Sequence, residues 1–178
     1  MNKKVLLVIA HEGFHPVEYG DTKKILEQAG YQVVTASNKD GYATDKDGNQ
    51  VQVDTLLTQT DPKFYEGIYF IGGPGCLEHL DNATSYEFLK LTELNLIPYG
   101  AICAAVRILA HAEVLDGKMA TGWNEDGKLP DILEDYGAQY VPMNVVVESH
   151  VVTAIGPKQA KDFGEKIVEV LDAYEKGL

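Results

Sequence analysis

The sequence has little of what marks a secreted, membrane-spanning or nucleic-acid-binding protein. Two cysteines among 178 residues do not suggest a disulfide framework. The longest apolar run near the start, residues 5–10, has the length of a strand rather than of a membrane span, and no small-residue cleavage site follows it. Lysine and arginine number 15 against 27 aspartates and glutamates, and they form no basic stripe that would bind a phosphate backbone. These absences predict a cytoplasmic protein with no membrane or nucleic-acid partner.

What is present is the composition of an ordinary globular domain. Hydrophobic residues make up 45% and charged residues 24% of the chain. The length is enough for one domain, residues 1–178, with a sizeable core. Strand-like and helix-like segments alternate without a repeat or a linker. This order predicts an α/β sandwich with a largely parallel sheet.

The predicted elements follow from apolar periodicity and from turn residues. The apolar run at 5–10 suits a central strand that is buried on both faces. Predicted strands cover 5–10, 31–36, 68–71, 97–102 and 118–121, with hairpins in 40–53 and 145–154. Predicted helices cover 16–29, a short segment from 61, 83–93, a segment after Cys103, 130–136, and a last helix after Pro157 whose core face carries Ala160, Phe163, Ile167, Val170, Leu171 and Tyr174.

Cys103 lies where a short apolar strand gives way to an alanine-rich helix. A side chain at such a sharp junction is held exposed, as in a nucleophile elbow. The amides and dipole of the following helix favour an anion, so we expect a lowered thiol pKa and a reactive thiolate.

Two further loops are expected to meet this cysteine, because ligands bind at the carboxyl ends of the strands in a doubly wound sheet. They are residues 11–18 after the first strand and 72–76 after the strand at 68–71. The glycine-rich second loop lacks the lysine of a P-loop and the spacing of a dinucleotide fingerprint. Because a cysteine lies nearby, an oxyanion hole is the better interpretation.

Four segments together give a resemblance that covers nearly the whole chain. They are the segment 101–105 (Ala-Ile-Cys-Ala-Ala), Glu18 placed five residues after Gly13, the glycine loop 72–75 followed by Leu80, and residues 153–157 before an apolar helix. The sequence thereby resembles the ThiJ/PfpI superfamily, which is related in fold to the class I glutamine amidotransferases.

The resemblance implies a flavodoxin-like three-layer sandwich, usually a homodimer, with no cofactor. It implies Cys103 as the nucleophile and a protonated Glu18 that donates a hydrogen bond to its sulfur. It also implies that the amides of Gly73 and Ala104 form the oxyanion site. Members of the superfamily act on small 2-oxoaldehydes or glycated adducts, act as peptidases or amidases, or serve as stress chaperones or oxidation sensors.

The sequence departs from the peptidase-like members at two positions. Ala104 stands where they have a histidine after the cysteine, and Trp123 stands at or beside the place of a histidine in other members. Without that base, efficient peptide hydrolysis is in doubt. Chemistry on a small reactive carbonyl needs only the thiol and a proton shuttle such as Glu18. We therefore expect a glyoxalase- or deglycase-type enzyme, with a redox-sensing or chaperone-like stress protein and a peptidase or amidase as alternatives.

Auxiliary roles are open for several other residues. Cys76 is a resolving cysteine or, more simply, a small filler of the glycine loop. His11, His15 and His79, the last across a dimer interface, are candidate bases or merely surface and capping residues. Trp123 is a pocket wall or a packing residue. His111 and His150 are interpreted as structural, and no metal-ligand spacing is present.

Overall fold

The computed structural model describes residues 3–177, which form twelve strands and six helices. The strands are β1 Lys4–Ile9, β2 Glu12–Phe14, β3 Gln32–Ser37, β4 Tyr42–Asp45, β5 Gln50–Gln52, β6 Thr55–Leu56, β7 Gly67–Phe70, β8 Tyr99–Ile102, β9 Met119–Ala120, β10 Gln139–Tyr140, β11 Val145–Glu148 and β12 Val151–Ala154. The helices are α1 Pro16–Gln28, α2 Cys76–Leu80, α3 Ala83–Leu94, α4 Val106–His111, α5 Leu129–Asp135 and α6 Ala160–Glu175. Short 3₁₀ turns lie at Leu57–Gln59, Pro62–Phe64, Cys103–Ala105 and Pro157–Gln159.

Seven strands form the central sheet, in the order β11-β12-β8-β7-β1-β3-β6. All neighbouring pairs are parallel except β11 with β12, which is the hairpin expected within 145–154. The expected hairpin within 40–53 is also present, as β4 and β5, and β2 joins it in a small separate sheet. The predicted α/β class and mostly parallel sheet are therefore confirmed.

Side chains alternate between two apolar layers because successive residues of a strand point to opposite faces. In β1, Leu6 and Val8 enter the core on one face, whereas Val5, Leu7 and Ile9 enter the core on the other. The first core contains residues of α3, α4 and α5, and the second contains residues of α1 and α6. The continuous apolar run at the start of the chain thus makes β1 the centre of a three-layer sandwich.

Two expected details differ in the structure. The strand expected at 118–121 is only the two residues of β9, which pair with β10 outside the central sheet. Tyr174 was expected to face the core, but its side chain is exposed at the end of α6 and its hydroxyl donates to the Leu96 carbonyl. Among residues 3–177, no helix is both long and apolar enough to cross a membrane.

Candidate functional site

The site lies where β1, β7 and β8, three adjacent parallel strands, end at the same edge of the sheet. The loops that follow them are bound together by backbone hydrogen bonds, from His15 N to Gly72 O (2.9 Å) and from Gly75 N to Gly13 O (3.0 Å). They surround a cleft of about 410 Å³. The residues lining the cleft are His15, Gly73, Pro74, Leu77, Cys103, Ala104 and Trp123.

Cys103 is held at the floor of this cleft in a conformation that few residues adopt. Its φ angle is 64°, in the left-handed region, directly after the fully buried strand β8. A non-glycine residue there carries strain of about 1–3 kcal/mol, and such residues cluster at functional sites. The 3₁₀ turn 103–105 then leads into α4, so the predicted strand-to-helix junction is present.

Glu18 is completely buried in the first turn of α1, beside Cys103. Its Oε2 accepts a hydrogen bond from the Gly72 amide, with an N–O distance of 2.9 Å. Gly72 must be glycine because a Cβ there would lie 2.7 Å from both the Glu18 Oε2 and the Cys103 Cβ. The absence of a side chain at Gly72 is what lets the carboxyl group and the cysteine approach each other.

The burial of Glu18 controls its protonation. Burial raises the pKa of Glu18 to about 7, against smaller lowering effects of the Cys103 thiol and the Gly72 amide. Among the described residues, no well-aligned hydrogen bond reaches the buried Oε1. Because Oε2 accepts from Gly72, the proton of the neutral acid belongs on Oε1. Near neutral pH this carboxyl group is divided between acid and base, as general acid-base catalysis requires.

The protonation of Cys103 differs from the sequence-based expectation. Burial raises the pKa of Cys103 well above its usual range, the charge of Glu18 raises it further, and the Ala104 amide opposes both. The expected lowering by a helix dipole was wrong because α4 has only six residues and begins with a 3₁₀ turn, so desolvation outweighs the dipole. The resting pair is a thiol beside a carboxyl group rather than a preformed thiolate.

The predicted oxyanion residues both line the cleft. Gly73 has a φ of 122°, and a Cβ there would lie 2.5 Å from the Gly13 carbonyl oxygen and from the His15 nitrogen. Only glycine fits this approach of two loops. The Gly73 amide has no acceptor among residues 3–177. It is therefore available for the oxygen of a bound carbonyl compound, whereas the Ala104 amide at the start of the turn hydrogen-bonds the Cys103 sulfur.

His15 is the histidine that the fold brings into the cleft. It is the N-cap of α1, and its Nδ1 accepts a hydrogen bond from the Val17 amide at 3.3 Å. Burial lowers the pKa of His15, with Lys46 acting in the same direction, so the ring is neutral. In this neutral ring Nδ1 is the acceptor, so Nε2 carries the proton. The ring therefore presents a hydrogen-bond donor rather than a base.

The other candidate histidines lie away from the cleft lining. His79, at the end of α2, lines a different cavity near Ser37. The His11 ring contacts the Asp40 carbonyl oxygen at 3.0 Å. His111 lies 2.9 Å from both carboxylate oxygens of Asp81, so it has a local partner that the sequence did not indicate.

Cys76 is the first residue of α2 and is fully buried in the core beneath the glycine loop. Burial raises the pKa of Cys76 to about 12, with Glu18 and Asp81 acting in the same direction. Such a thiol behaves as a small apolar group. The geometry favours the filler interpretation over a resolving cysteine.

Sequence reasoning missed Leu77, which lines the cleft, and Arg107, which lies behind Trp123. The guanidinium carbon of Arg107 lies 5.0 Å from the centre of the Trp123 ring, and its Nη2 forms an ion pair with Asp126 at 2.6 Å. The side chain is only 9% exposed, and its buried Nε has no partner among the described residues. The available signal was a lone charge in an apolar helix, four residues after Cys103.

Comparisons with known proteins agree over nearly the full length. The model of the DJ-1/PfpI family matches residues 3–170. An uncharacterized protein of Methanocaldococcus jannaschii is 35% identical over 176 residues, covering 98% of this chain and 84% of that protein. The crystal structure of a ThiJ/PfpI domain protein from Brachyspira murdochii is similar with a TM-score of 0.89 and 31% identity, covering 97% of this chain and 99% of that one. Drosophila melanogaster DJ-1beta is similar with a TM-score of 0.84 and 26% identity, covering 99% and 97%.

Proposed function

Because the chain belongs to the DJ-1/PfpI family, we propose that it is a cofactor-free, Cys103-dependent enzyme for small reactive carbonyl compounds. The proposed reaction converts a 2-oxoaldehyde and water into a 2-hydroxy acid. The 2-oxoaldehyde is either free or released from an early adduct with an amine or thiol. The observation that carries the proposal is the contact of a strained cysteine with a buried carboxyl group whose pKa burial raises to about 7. We further propose a cytoplasmic homodimer that protects against carbonyl stress.

The first step is addition of the Cys103 sulfur to the aldehyde carbon. The thiol proton passes through Glu18 to the aldehyde oxygen, which gives a hemithioacetal. Since the resting cysteine is a thiol, Glu18 acts here as the general base. The amide of Gly73 holds the oxygen as it gains negative charge.

The second step moves hydrogen between the two carbonyl carbons. The Glu18 carboxylate removes the hydrogen of the first carbon as a proton and returns it to the keto oxygen, while the electron pair left behind forms the carbon–carbon double bond of an enediol. A proton returned to the second carbon and one lost from the first hydroxyl give a 2-hydroxyacyl thioester. The Nε2–H of His15 suits the role of donor to the keto oxygen.

Hydrolysis completes the cycle. Water attacks the thioester carbon, the carbon–sulfur bond breaks, and the sulfur regains its proton as the 2-hydroxy acid leaves. The first carbon is oxidised by two electrons and the second is reduced by two. The overall reaction therefore consumes only water and the 2-oxoaldehyde.

The test measures lactate formation from methylglyoxal by wild type, Cys103→Ala, Glu18→Gln and Cys76→Ala. We expect lactate from wild type and Cys76→Ala, background rates from Cys103→Ala, and a rate lower by about 10²–10⁴-fold in Glu18→Gln. Cys76→Ala is the matched control because it removes the other thiol, outside the cleft. Equal rates in wild type and Cys103→Ala would refute the proposal.

A second candidate function, an oxidation sensor, is supported by the different exposure of the two thiols. Cys103 is partly exposed, whereas Cys76 is buried. A solved relative with 26% identity and a TM-score of 0.82 is described as Toxoplasma gondii DJ-1, oxidized. This function predicts that mild peroxide converts Cys103 to sulfenic or sulfinic acid before Cys76 changes. Mass spectrometry that finds Cys103 unmodified would exclude it.

The peptidase alternative has the least support. It needs an imidazole that takes the proton from the Cys103 sulfur. Among residues 3–177, His15 is the histidine that lines the cleft, and its Nδ1 is already an acceptor for a backbone amide. We therefore do not propose peptide hydrolysis.

A further inference from the structure

The cleft is large for the simplest 2-oxoaldehyde. Methylglyoxal has only five non-hydrogen atoms. The cleft measures about 410 Å³, within the usual range of ligand pockets. A substrate with a phenyl ring in place of the methyl group has ten non-hydrogen atoms and occupies about twice as much of the cleft as methylglyoxal.

The lining of the cleft is apolar away from the reacting groups. Pro74, Leu77, Ala104 and Trp123 supply carbon surface, and His15 is neutral. No charged side chain is among the lining residues. The surface therefore favours a substituent without charge, and the indole ring offers it a flat wall.

Trp123 is fixed at both its backbone and its ring. Its amide donates a hydrogen bond to the Cys103 carbonyl oxygen at 3.2 Å, which fixes the backbone of Trp123 to the turn that carries the cysteine. Its ring contacts the guanidinium of Arg107, which is absent from the cleft lining and is itself held by Asp126. Asp126 also accepts from the Lys128 amide at 3.1 Å, so the ion pair fastens the loop that carries the tryptophan. A buried cation against an indole ring is a stabilising contact.

We infer that Trp123, positioned by Arg107, selects 2-oxoaldehydes that carry a planar aromatic substituent over those that carry a methyl group. The inference rests on the proposed function, and it names the substrate class of the same cleft. Trp123 contacts the substituent directly. Arg107 acts through Trp123 and is a positioning residue.

The first test measures binding without chemistry. Mandelate and lactate are the 2-hydroxy acids that differ by a phenyl against a methyl group, and both are stable in solution. Because Trp123 is the only tryptophan of the chain, its fluorescence reports directly on the cleft. We expect mandelate to bind about tenfold more tightly than lactate and to quench this fluorescence. Equal affinities of the two acids would overturn the inference.

The second test asks whether the preference belongs to Trp123. Calorimetric titration of Trp123→Leu is expected to show similar affinities for the two acids, whereas Trp123→Phe keeps most of the preference because it keeps a flat ring. Phe64→Leu is the matched control, since Phe64 is an exposed aromatic residue outside the cleft. A preference that persists in Trp123→Leu would overturn the role of this residue.

The third test concerns Arg107. Arg107→Met keeps the aliphatic stem of the side chain and removes the guanidinium group, and we expect a lower fluorescence anisotropy of Trp123 and a weaker affinity for mandelate with little change for lactate. Asp126→Asn, an exposed substitution that leaves Arg107 in place, is expected to show the same change with a smaller size. Unchanged anisotropy and affinity in a folded Asp126→Asn protein would overturn the positioning role.

Turnover separates this inference from the proposed function. Phenylglyoxal is expected to be converted to mandelate with a higher kcat/KM than methylglyoxal to lactate, and Trp123→Leu is expected to raise KM for phenylglyoxal more than KM for methylglyoxal. Selective mandelate binding without turnover of either aldehyde supports the selectivity of the cleft and refutes the proposed reaction. Turnover of both aldehydes with equal kcat/KM supports the reaction and overturns the inference.

Discussion

The two cysteines of this chain are placed by adjacent loops at the same edge of the sheet, yet their surroundings differ in three ways. Cys103 lines the cleft, has a φ of 64° and lies beside Glu18. Cys76 is the first residue of a regular helix turn and has no exposed surface. Burial raises the pKa of both thiols. A low thiol pKa is therefore not what distinguishes them, and the difference lies in access to the cleft and in the neighbouring acid.

The largest expected difference between the two cysteines is in their rates of alkylation in the folded protein. Iodoacetamide is expected to modify Cys103 in the folded protein and Cys76 only after denaturation, because alkylation needs access to the sulfur. The reaction at Cys103 is expected to speed up as pH rises, since deprotonation of its thiol is unfavourable at neutral pH. Peptide mass spectrometry with and without denaturant measures both sites, and early modification of Cys76 would contradict the assignment.

Gly72→Ala is expected to have the next largest effect, because the added Cβ would separate the carboxyl group from the cysteine. It would lie 2.7 Å from Glu18 Oε2 and from Cys103 Cβ. Overpacking of this kind destabilises a protein by about 1–3 kcal/mol, and we expect the methylglyoxal activity to fall with the loss of contact. Gly20→Ala is the matched control, since a Cβ there meets nothing within 4 Å. Urea unfolding and lactate assays compare the two variants, and equal behaviour would contradict the role of Gly72.

The pH dependence of the free energy of unfolding tests the raised pKa of Glu18. Its pKa in the folded protein is about 7 against 4.5 when unperturbed, so between these values the folded state holds a proton that the unfolded state has released. Its stabilising contribution is full below pH 4.5 and is lost as pH rises to about 7, with a size on the order of 1–3 kcal/mol. Glu18→Gln is expected to lack this loss, so its stability relative to wild type rises from pH 5 to pH 8. Parallel urea titrations measure the difference, and a pH-independent difference would contradict the raised pKa.

His15→Asn is expected to have the smallest effect. Asparagine keeps the N-cap of α1 but removes the Nε2–H from the cleft. We expect a decrease of about tenfold in kcat, within the range of a single hydrogen bond to a reacting group, with little change in stability. His15→Ala, which also removes the cap, is expected to lose about 1 kcal/mol of stability in addition. Measurement of kcat and of thermal unfolding for both variants separates the contribution of the N-cap to stability from the contribution of the Nε2–H donor to catalysis.

The sequence predicted the convergence of the site because topology is encoded locally. Apolar runs of strand length give buried parallel strands, and their carboxyl ends meet at one edge. The order of elements therefore predicts that the loops carrying Cys103, Gly73 and Glu18 meet at this edge. The nucleophile elbow and the glycine loop needed no information beyond the spacing of the residues.

The electrostatics of the site was not predictable in the same way. The pKa values of Cys103 and Glu18 follow mainly from burial, and that burial depends on the backbone of Gly72, 54 residues away from Glu18. The contact of Arg107 with Trp123 likewise depends on how the loop after β9 folds back onto α4. These pKa values and this contact depend on residues that are distant in sequence, so no local sequence pattern predicts them.

The close meeting of the two loops at Gly13 and Gly73 also has a consequence for protein engineering. At Gly13, Gly72, Gly73 and Gly75 the space for a side chain is taken by the backbone or the carboxyl group of a neighbouring loop. These positions must be kept constant in any library of variants. Pro74, Leu77 and Trp123 line the same cleft without that restriction. A search for new substrates can therefore randomise the wall of the cleft while the scaffold beneath the reacting thiol stays fixed.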